Sequence, residues 1–191
     1  MKHGIATKER ELYSSVWQSI DCYADRSPGE AYVPMFLQMI GDDRGKGKVL
    51  DAGCGSGKGA LALKAAGLDV TMCDLTNEGL VPEARSLPFH EVVLWRRSPW
   101  TSWFDYAYCC DVLEHVPTQF TMLAVEQLLW TAHRVFIAVS NVQDLNGVWV
   151  GQSLHQTVQP FTWWRDNLRE IAKVVDARDL HETSAFLVER R

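Results

Sequence analysis

The chain has 191 residues, of which 47% are hydrophobic and 23% charged, with a formal net charge of −5. Such a length supports one good core, so a single domain over residues 1–191 is expected, and the composition is ordinary for a globular protein. The acidic balance gives no strong sign of a nucleic-acid surface, and no apolar run approaches the roughly 20 residues of a membrane-spanning helix. The polar start, "MKHGIATKERELYSSV", has no apolar signal stretch. Five cysteines form no Cys-x-x-Cys pair, which fits reduced thiols and a cytoplasmic location. Oligomeric state is not legible.

In chain order, Leu12, Val16 and Ile20 recur at helical spacing and predict a helix over about 9–22. "DRSPGEAYVP" breaks that pattern at Pro28, Gly29 and Pro34, and a short helix, "MFLQMIG", follows. From there strands and helices alternate: a strand at "KVLDA", a helix at "KGALALKAAG", and a second strand at "DVTMCD". "HEVVLW" reads as a third strand and "DYAYCC" as a fourth, in which Cys109 and Cys110 face opposite sides. A helix over about 121–131, a fifth strand at "RVFIAVS" and a helix at "TWWRDNLREIA" follow, with Thr162 as candidate cap. "KVVDAR" and "SAFLVER" close the chain as strands.

Alternating β and α units predict a doubly wound, mostly parallel, seven-stranded Rossmann-like sheet with helices on both faces. The last two strands stand too close for a parallel crossover and should form an antiparallel hairpin. Residues 1–46 would then be an N-terminal helical lid, and 47–191 the catalytic α/β core.

The glycine loop "VLDAGCGSGKGALAL" carries the chemistry. As a Walker A loop it fails at both ends, with Ala52 at the first glycine position and Gly59 at the hydroxyl position. Gly55-Ser56-Gly57-Lys58-Gly59-Ala60 does fit the dinucleotide pattern, with Asp74 near the distance of a ribose carboxylate. That reading leaves Asp51 without a role.

"DAGCGSG", with Asp74 closing the second strand, closely resembles motif I of the class I S-adenosylmethionine-dependent methyltransferases. "FDYAYCCDVLEHVP" is similar to that family's fourth strand and following turn, and the likeness covers about residues 47–190. It implies S-adenosylmethionine as cofactor, held by Asp51, Gly53, Gly55, Gly57, Asp74, Leu75, Leu94, Trp95 and Asp111. Asp51 would support the loop and the ligand's amino-acid end, and Asp74 would take both ribose hydroxyls. Arg96 and Arg97 stand where many members carry an acidic residue for the adenine amino group. Leu94 or Trp95 would pack on the adenine instead.

An acceptor hydroxyl needs a base. His155, in the long loop after the fifth strand, is the first candidate, with Asp111 and His115 after the fourth strand behind it. Trp163 is a candidate pocket wall, Trp164 a core residue, and Trp17 and Tyr23 candidate lid residues. The Asp111-x-x-Glu114-His115 spacing resembles that of certain metal-assisted O-methyltransferases, with His155 as a further ligand. Such runs are common in members that bind no metal, and none is expected. The resemblance implies methyl transfer to a small-molecule acceptor, possibly a nucleoside or nucleotide. A nicotinamide-dependent oxidoreductase and a non-catalytic S-adenosylmethionine-binding protein are the alternatives.

Overall fold

The structure, a computed structural model, describes residues 2–19, 28–41, 47–101 and 103–191. Two helices, α1 (Lys2–Ser19) and α2 (Gly29–Ile40), come first. The alternation then runs β1 (Lys48–Ala52), α3 (Lys58–Ala65), β2 (Asp69–Asp74), β3 (Phe89–Glu91), β4 (Phe104–Cys110) and α4 (Thr118–Thr131). It continues with β5 (Ala132–Ser140), α5 (Phe161–Ile171), β6 (Lys173–Asp179) and β7 (Thr183–Glu189). Short 3-10 turns occupy Pro82–Ser86, Leu113–His115 and Asn146–Val150.

Among the described residues the strands form one seven-stranded sheet in the order β3-β2-β1-β4-β5-β7-β6. β1 to β5 pair in parallel, and β7 lies antiparallel to both β5 and β6, as the short final connection requires. The strand order reverses between β1 and β4. Their C-terminal ends therefore open the crevice in which doubly wound sheets bind ligands.

Alternation along each strand feeds two cores. Leu50, Ala107, Cys109, Ile137 and Phe186 pack with α4 and α5 through Leu128, Trp164 and Leu168. Val49, Tyr108, Cys110, Phe136 and Leu187 pack with α2 and α3 through Phe36 and Leu63 on the other face. Cys109 and Cys110 do face opposite sides, and both are free thiols. No described helix is long and apolar enough to cross a membrane.

Four boundaries differ from the sequence reading. α1 begins at Lys2, because Ala6 adds a small buried contact that periodicity of large residues does not register; residues 20–22 of the expected helix lie outside the described residues. α2 starts at Gly29 and runs through Pro34. There Pro34 withholds one amide from the helix ladder, while Val33, Phe36 and Ile40 bury the face that holds the helix down. α2 therefore belongs to the core, while α1 and Pro28 reach the crevice.

β3 ends at Glu91, which pairs with Asp74, the last residue of β2; Val92 N–H makes one more bond, to Asp74 O at 2.8 Å, and the chain then turns with Arg96 N–H on Val93 O. Thr162 does not cap α5. Pro160 precedes that helix with no side-chain cap bond, and Thr162 lies inside the first turn.

Candidate active site

The crevice at the C-terminal ends of β1 and β4 is a cavity lined from six parts of the chain. The loop after β1 supplies Gly53 and Gly55, the end of β2 Asp74 and Leu75, and the turn after β3 Leu94 and Trp95. The turn after β4 supplies Asp111 and His115, and the loop after β5 Asp144, Leu154 and His155. α1 closes the cavity with Glu9, Tyr13 and Trp17.

The glycine loop is bent by its contacts. Gly53 N–H and Cys54 N–H both donate to Cys73 O, at 2.8 and 3.1 Å, which turns β1 sharply over the end of β2. Gly53 sits at φ +77°, and a Cβ there would lie 2.4 Å from a methyl of Val112. Only glycine fits both the backbone and the space.

Asp74 lies at the loop's open side. One carboxylate oxygen accepts from Gly55 N–H at 2.8 Å and the other from Leu75 N–H at 2.6 Å. The Thr76 amide also bonds this carboxylate; a carboxylate offers about four lone-pair sites, so it keeps acceptor capacity for a ligand hydroxyl. Burial pushes its pKa up, against the pull of those amides.

Asp51 and Gly57 do not line the cavity. Gly57 turns the chain into α3. Asp51 is buried behind the loop with one oxygen, Oδ2, lacking a described partner. Burial, and then the charge of Asp74, pushes its carboxyl up to about 7.

Leu94 and Trp95 are buried in the cavity wall. Trp95 stacks parallel on Phe120 at 5.8 Å, and its indole N–H is buried with no acceptor among the described residues. Trp163, expected as a pocket wall, packs instead on the α4/α5 core, edge-on to the fully buried Trp164. Helical geometry explains this, since α5 lies beside the sheet rather than above its C-terminal edge. Trp17 lies over Gly79, where a Cβ would come within 2.5 Å of its ring. Tyr23 lies outside the described residues.

The polar side of the cavity joins residues distant in sequence. His115 Nδ1 is 3.1 Å from Leu154 O, and His155 Nδ1 is 2.6 Å from Val142 O. A carbonyl only accepts, so each Nδ1 carries the proton and each Nε2 keeps a lone pair. The two rings stand edge to face at 4.7 Å. Burial lowers the His115 pKa to about 4, so this ring is neutral at pH 7. Asp111 takes a left-handed backbone, φ +58°, while its N–H donates to Ala138 O. Aspartate tolerates that conformation better than most residues, and strain of this kind concentrates at functional sites.

Asp144, absent from the sequence reading, and Glu114, named there only within the Asp-x-x-Glu-His spacing, hold this side together. Asp144 accepts from the amides of Gly147, Leu154 and His155 and from the Ser153 hydroxyl. Burial raises its pKa, but those bonds outweigh burial and hold it below the usual range. The signal was present: "DLNG" is an aspartate three residues before a glycine, a turn in which the carboxylate caps the backbone. Glu114 is fully buried; its carboxylate accepts from Ser140 N–H at 2.5 Å, and its carbonyl from Gln156 and Thr157. It fastens the β4 turn to the β5 loop from behind the cavity wall, where its carboxyl lies against that of Asp111 and burial pushes its pKa up.

The family model for the methyltransferase domain matches residues 27–183. The chain belongs to that family. This methyltransferase is thereby of the class that takes its methyl group from S-adenosylmethionine, on the Rossmann-like sheet expected for it. No curated protein matches its sequence.

Among solved structures it resembles Burkholderia thailandensis 1,6-didemethyltoxoflavin-N1-methyltransferase, crystallised with 1,6-didemethyltoxoflavin and S-adenosylhomocysteine. The TM-score is 0.72 at 17% identity, over 100% of this chain and 90% of the other. Magnesium protoporphyrin IX methyltransferase from Synechocystis, with bound S-adenosylhomocysteine, gives 0.61 at 20% identity over 85% and 82%. A TehB-like methyltransferase from Corynebacterium glutamicum gives 0.63 at 18% identity over 97% and 100%. These likenesses concern the fold.

Proposed function

We propose that this methyltransferase seats S-adenosylmethionine over the Gly53–Gly57 loop and transfers its methyl group to a small molecule held against Asp111, His115 and His155. One observation carries the reading. The motif I loop with Asp74 and the Asp111/His115/His155 cluster line a single cavity, so donor and acceptor can meet there. The residues present suit the donor: Asp74 has free acceptor capacity, Gly53 and Gly55 let a ligand approach the backbone, and Trp95 offers a buried, unpaired N–H. The antiparallel β7 argues against the nicotinamide alternative, because dinucleotide-binding sheets of this kind follow the order 3-2-1-4-5-6.

The cofactor supplies an already activated methyl group, which leaves the chain mainly positioning and proton removal. Asp74 fixes the ribose, Leu94 and Trp95 flank the adenine, and Asp51 supports the loop from behind. α1 covers the cavity and excludes water. His155 Nε2, with its lone pair free, takes the acceptor's proton; Asp111 and His115 orient the acceptor beside it. Among the described residues that line the cavity, none is lysine or arginine, whereas Glu9, Asp74, Asp111 and Asp144 are acidic. This favours an acceptor without phosphate, such as a neutral heteroaromatic or a free nucleoside, over a nucleotide. The Burkholderia enzyme, crystallised with 1,6-didemethyltoxoflavin, supports a small-molecule acceptor.

The test is transfer of label from methyl-labelled S-adenosylmethionine into a fractionated extract. Label is expected in uncharged small molecules, and His155→Ala should slow it by roughly 10²- to 10⁴-fold, as for a positioned base. Affinity for S-adenosylhomocysteine should stay within about twofold of wild type, since no cofactor contact is assigned to His155. Label confined to macromolecules, or an unchanged rate in the variant, overturns this reading.

A further inference from the structure

We propose that Asp111, His115 and His155 bind a divalent transition-metal ion of the zinc class on the acceptor side of the cavity. One ligand atom from each residue lies within 4.8 Å of the others, and among the described residues this group alone meets that condition. Atoms sharing a zinc at about 2.0–2.1 Å stand no farther than about 4 Å apart, so the trio must close by under about 1 Å. All three are half-buried in the wall of one cavity, which gives an ion both a dry side and an entry path.

The second observation is independent of the spacing. Both imidazoles donate Nδ1–H to a backbone carbonyl, Leu154 for His115 and Val142 for His155. This is the outer-shell arrangement that fixes the tautomer and aims Nε2 in metal-binding histidines. Two imidazoles and one carboxylate select zinc, cobalt, nickel or iron over magnesium or calcium, which prefer oxygen ligands.

The ligand set differs from the one that the Asp-x-x-Glu-His spacing suggests. Glu114 is fully buried with one oxygen on Ser140 N–H and its carboxyl against Asp111, outside the group of three, and the fold brings His155 in from the β5 loop instead. Three protein ligands leave a coordination position open. An oxygen or ring nitrogen of the acceptor fits that position, and its proton is acidified by the ion and leaves to solvent. The His155 lone pair serves either the ion or the proton, so ion-loaded and ion-free protein activate an acceptor by different routes.

The test needs neither cofactor nor acceptor, so its outcome is separate from that of the methyl-transfer reading. Chelator-treated, dialysed protein is titrated with Zn²⁺ by calorimetry and with Co²⁺ by visible absorption. One equivalent should bind, with a cobalt spectrum of nitrogen and oxygen ligation and a rise in melting temperature. Loss of an outer-shell partner alone typically costs about 10- to 100-fold in metal affinity, so His115→Gln, His155→Gln and Asp111→Asn should each cost at least that. His133→Gln, at an exposed histidine on β5, should bind as wild type does. Circular dichroism establishes that each variant is folded. No stoichiometric binding by wild type, or folded ligand variants that bind as tightly as His133→Gln, overturns the proposal.

Discussion

At Asp51, burial beneath the glycine loop sets a carboxyl against the neighbouring charge of Asp74, with only the Ala60 amide to offset it. Its pKa rises from 3.8 in the unfolded reference to about 7. Below the lower value both states hold the proton and the group costs nothing. As pH climbs toward 7 the unfolded chain releases its proton and the folded one keeps it, so stability is lost across that window. Asp51→Asn should remove this slope: thermal unfolding of ligand-free protein should show the variant gaining on wild type from pH 4 to pH 7. Parallel curves would mean that the carboxyl is solvated. Gly53 offers a second residue-scale test, paired with Gly151. Both have positive φ, but a Cβ at Gly151 meets nothing within 4 Å, whereas one at Gly53 meets Val112 at 2.4 Å. Gly151→Ala should cost about 1–2 kcal/mol of backbone strain, and Gly53→Ala about 1–3 kcal/mol more for the clash. Equal losses in denaturant unfolding would refute the tight packing of the loop on Val112.

Helix α1 is held beside the site by small or few apolar side chains. Its apolar anchors are Val16 on Leu154, with Leu12 and Val150 alongside, and the small Ala6 with Ile5 on the α4/α5 core, and its polar ties include exposed pairs such as Arg10–Glu91 and Gln156–Glu9. Exposed pairs of this kind add about 0–1 kcal/mol, so α1 should open well below the global unfolding energy. Hydrogen exchange should therefore be fast in α1 and slow in β4 and β5 of free protein. Bound S-adenosylhomocysteine should slow it, because Glu9, Tyr13 and Trp17 line the cavity. Exchange in α1 that matches β4, or ignores the ligand, contradicts a lid. Elements of the sheet were legible where burial imposes a continuous apolar run, as in β1, β2, β4 and β5. The sequence misled where tertiary contact outweighs local preference. α2 tolerates Pro34 because Phe36 is buried, and Val92 to Trp95 are apolar enough for a strand, yet β2 ends at Asp74 and after the Val92 N–H bond to Asp74 O the chain turns.

Across the whole molecule, the two halves of the site differed in legibility for a topological reason. The donor half is one contiguous motif plus the aspartate that ends the next strand, so spacing alone brings Gly53, Gly55 and Asp74 to one crevice. The proposed acceptor half is assembled from α1, the β4 turn and the β5 loop. Nothing in their spacing reveals that His155 stacks edge-on against His115, that Glu114 lies behind the cavity wall, or that Trp163 joins the core. Asp144, which staples the β5 loop, was readable only as a turn residue. The central claim is that the crevice between β1 and β4 holds S-adenosylmethionine through Asp74. Its most direct test is calorimetry of wild type and Asp74→Ala with S-adenosylhomocysteine, and of wild type with NAD. Wild type should bind one S-adenosylhomocysteine per chain and give no heat with NAD. The variant should lose about 1.5–3 kcal/mol, the range for hydrogen bonds to a charged group. Binding of NAD in place of S-adenosylhomocysteine, or a folded Asp74→Ala that binds as wild type does, would contradict the account.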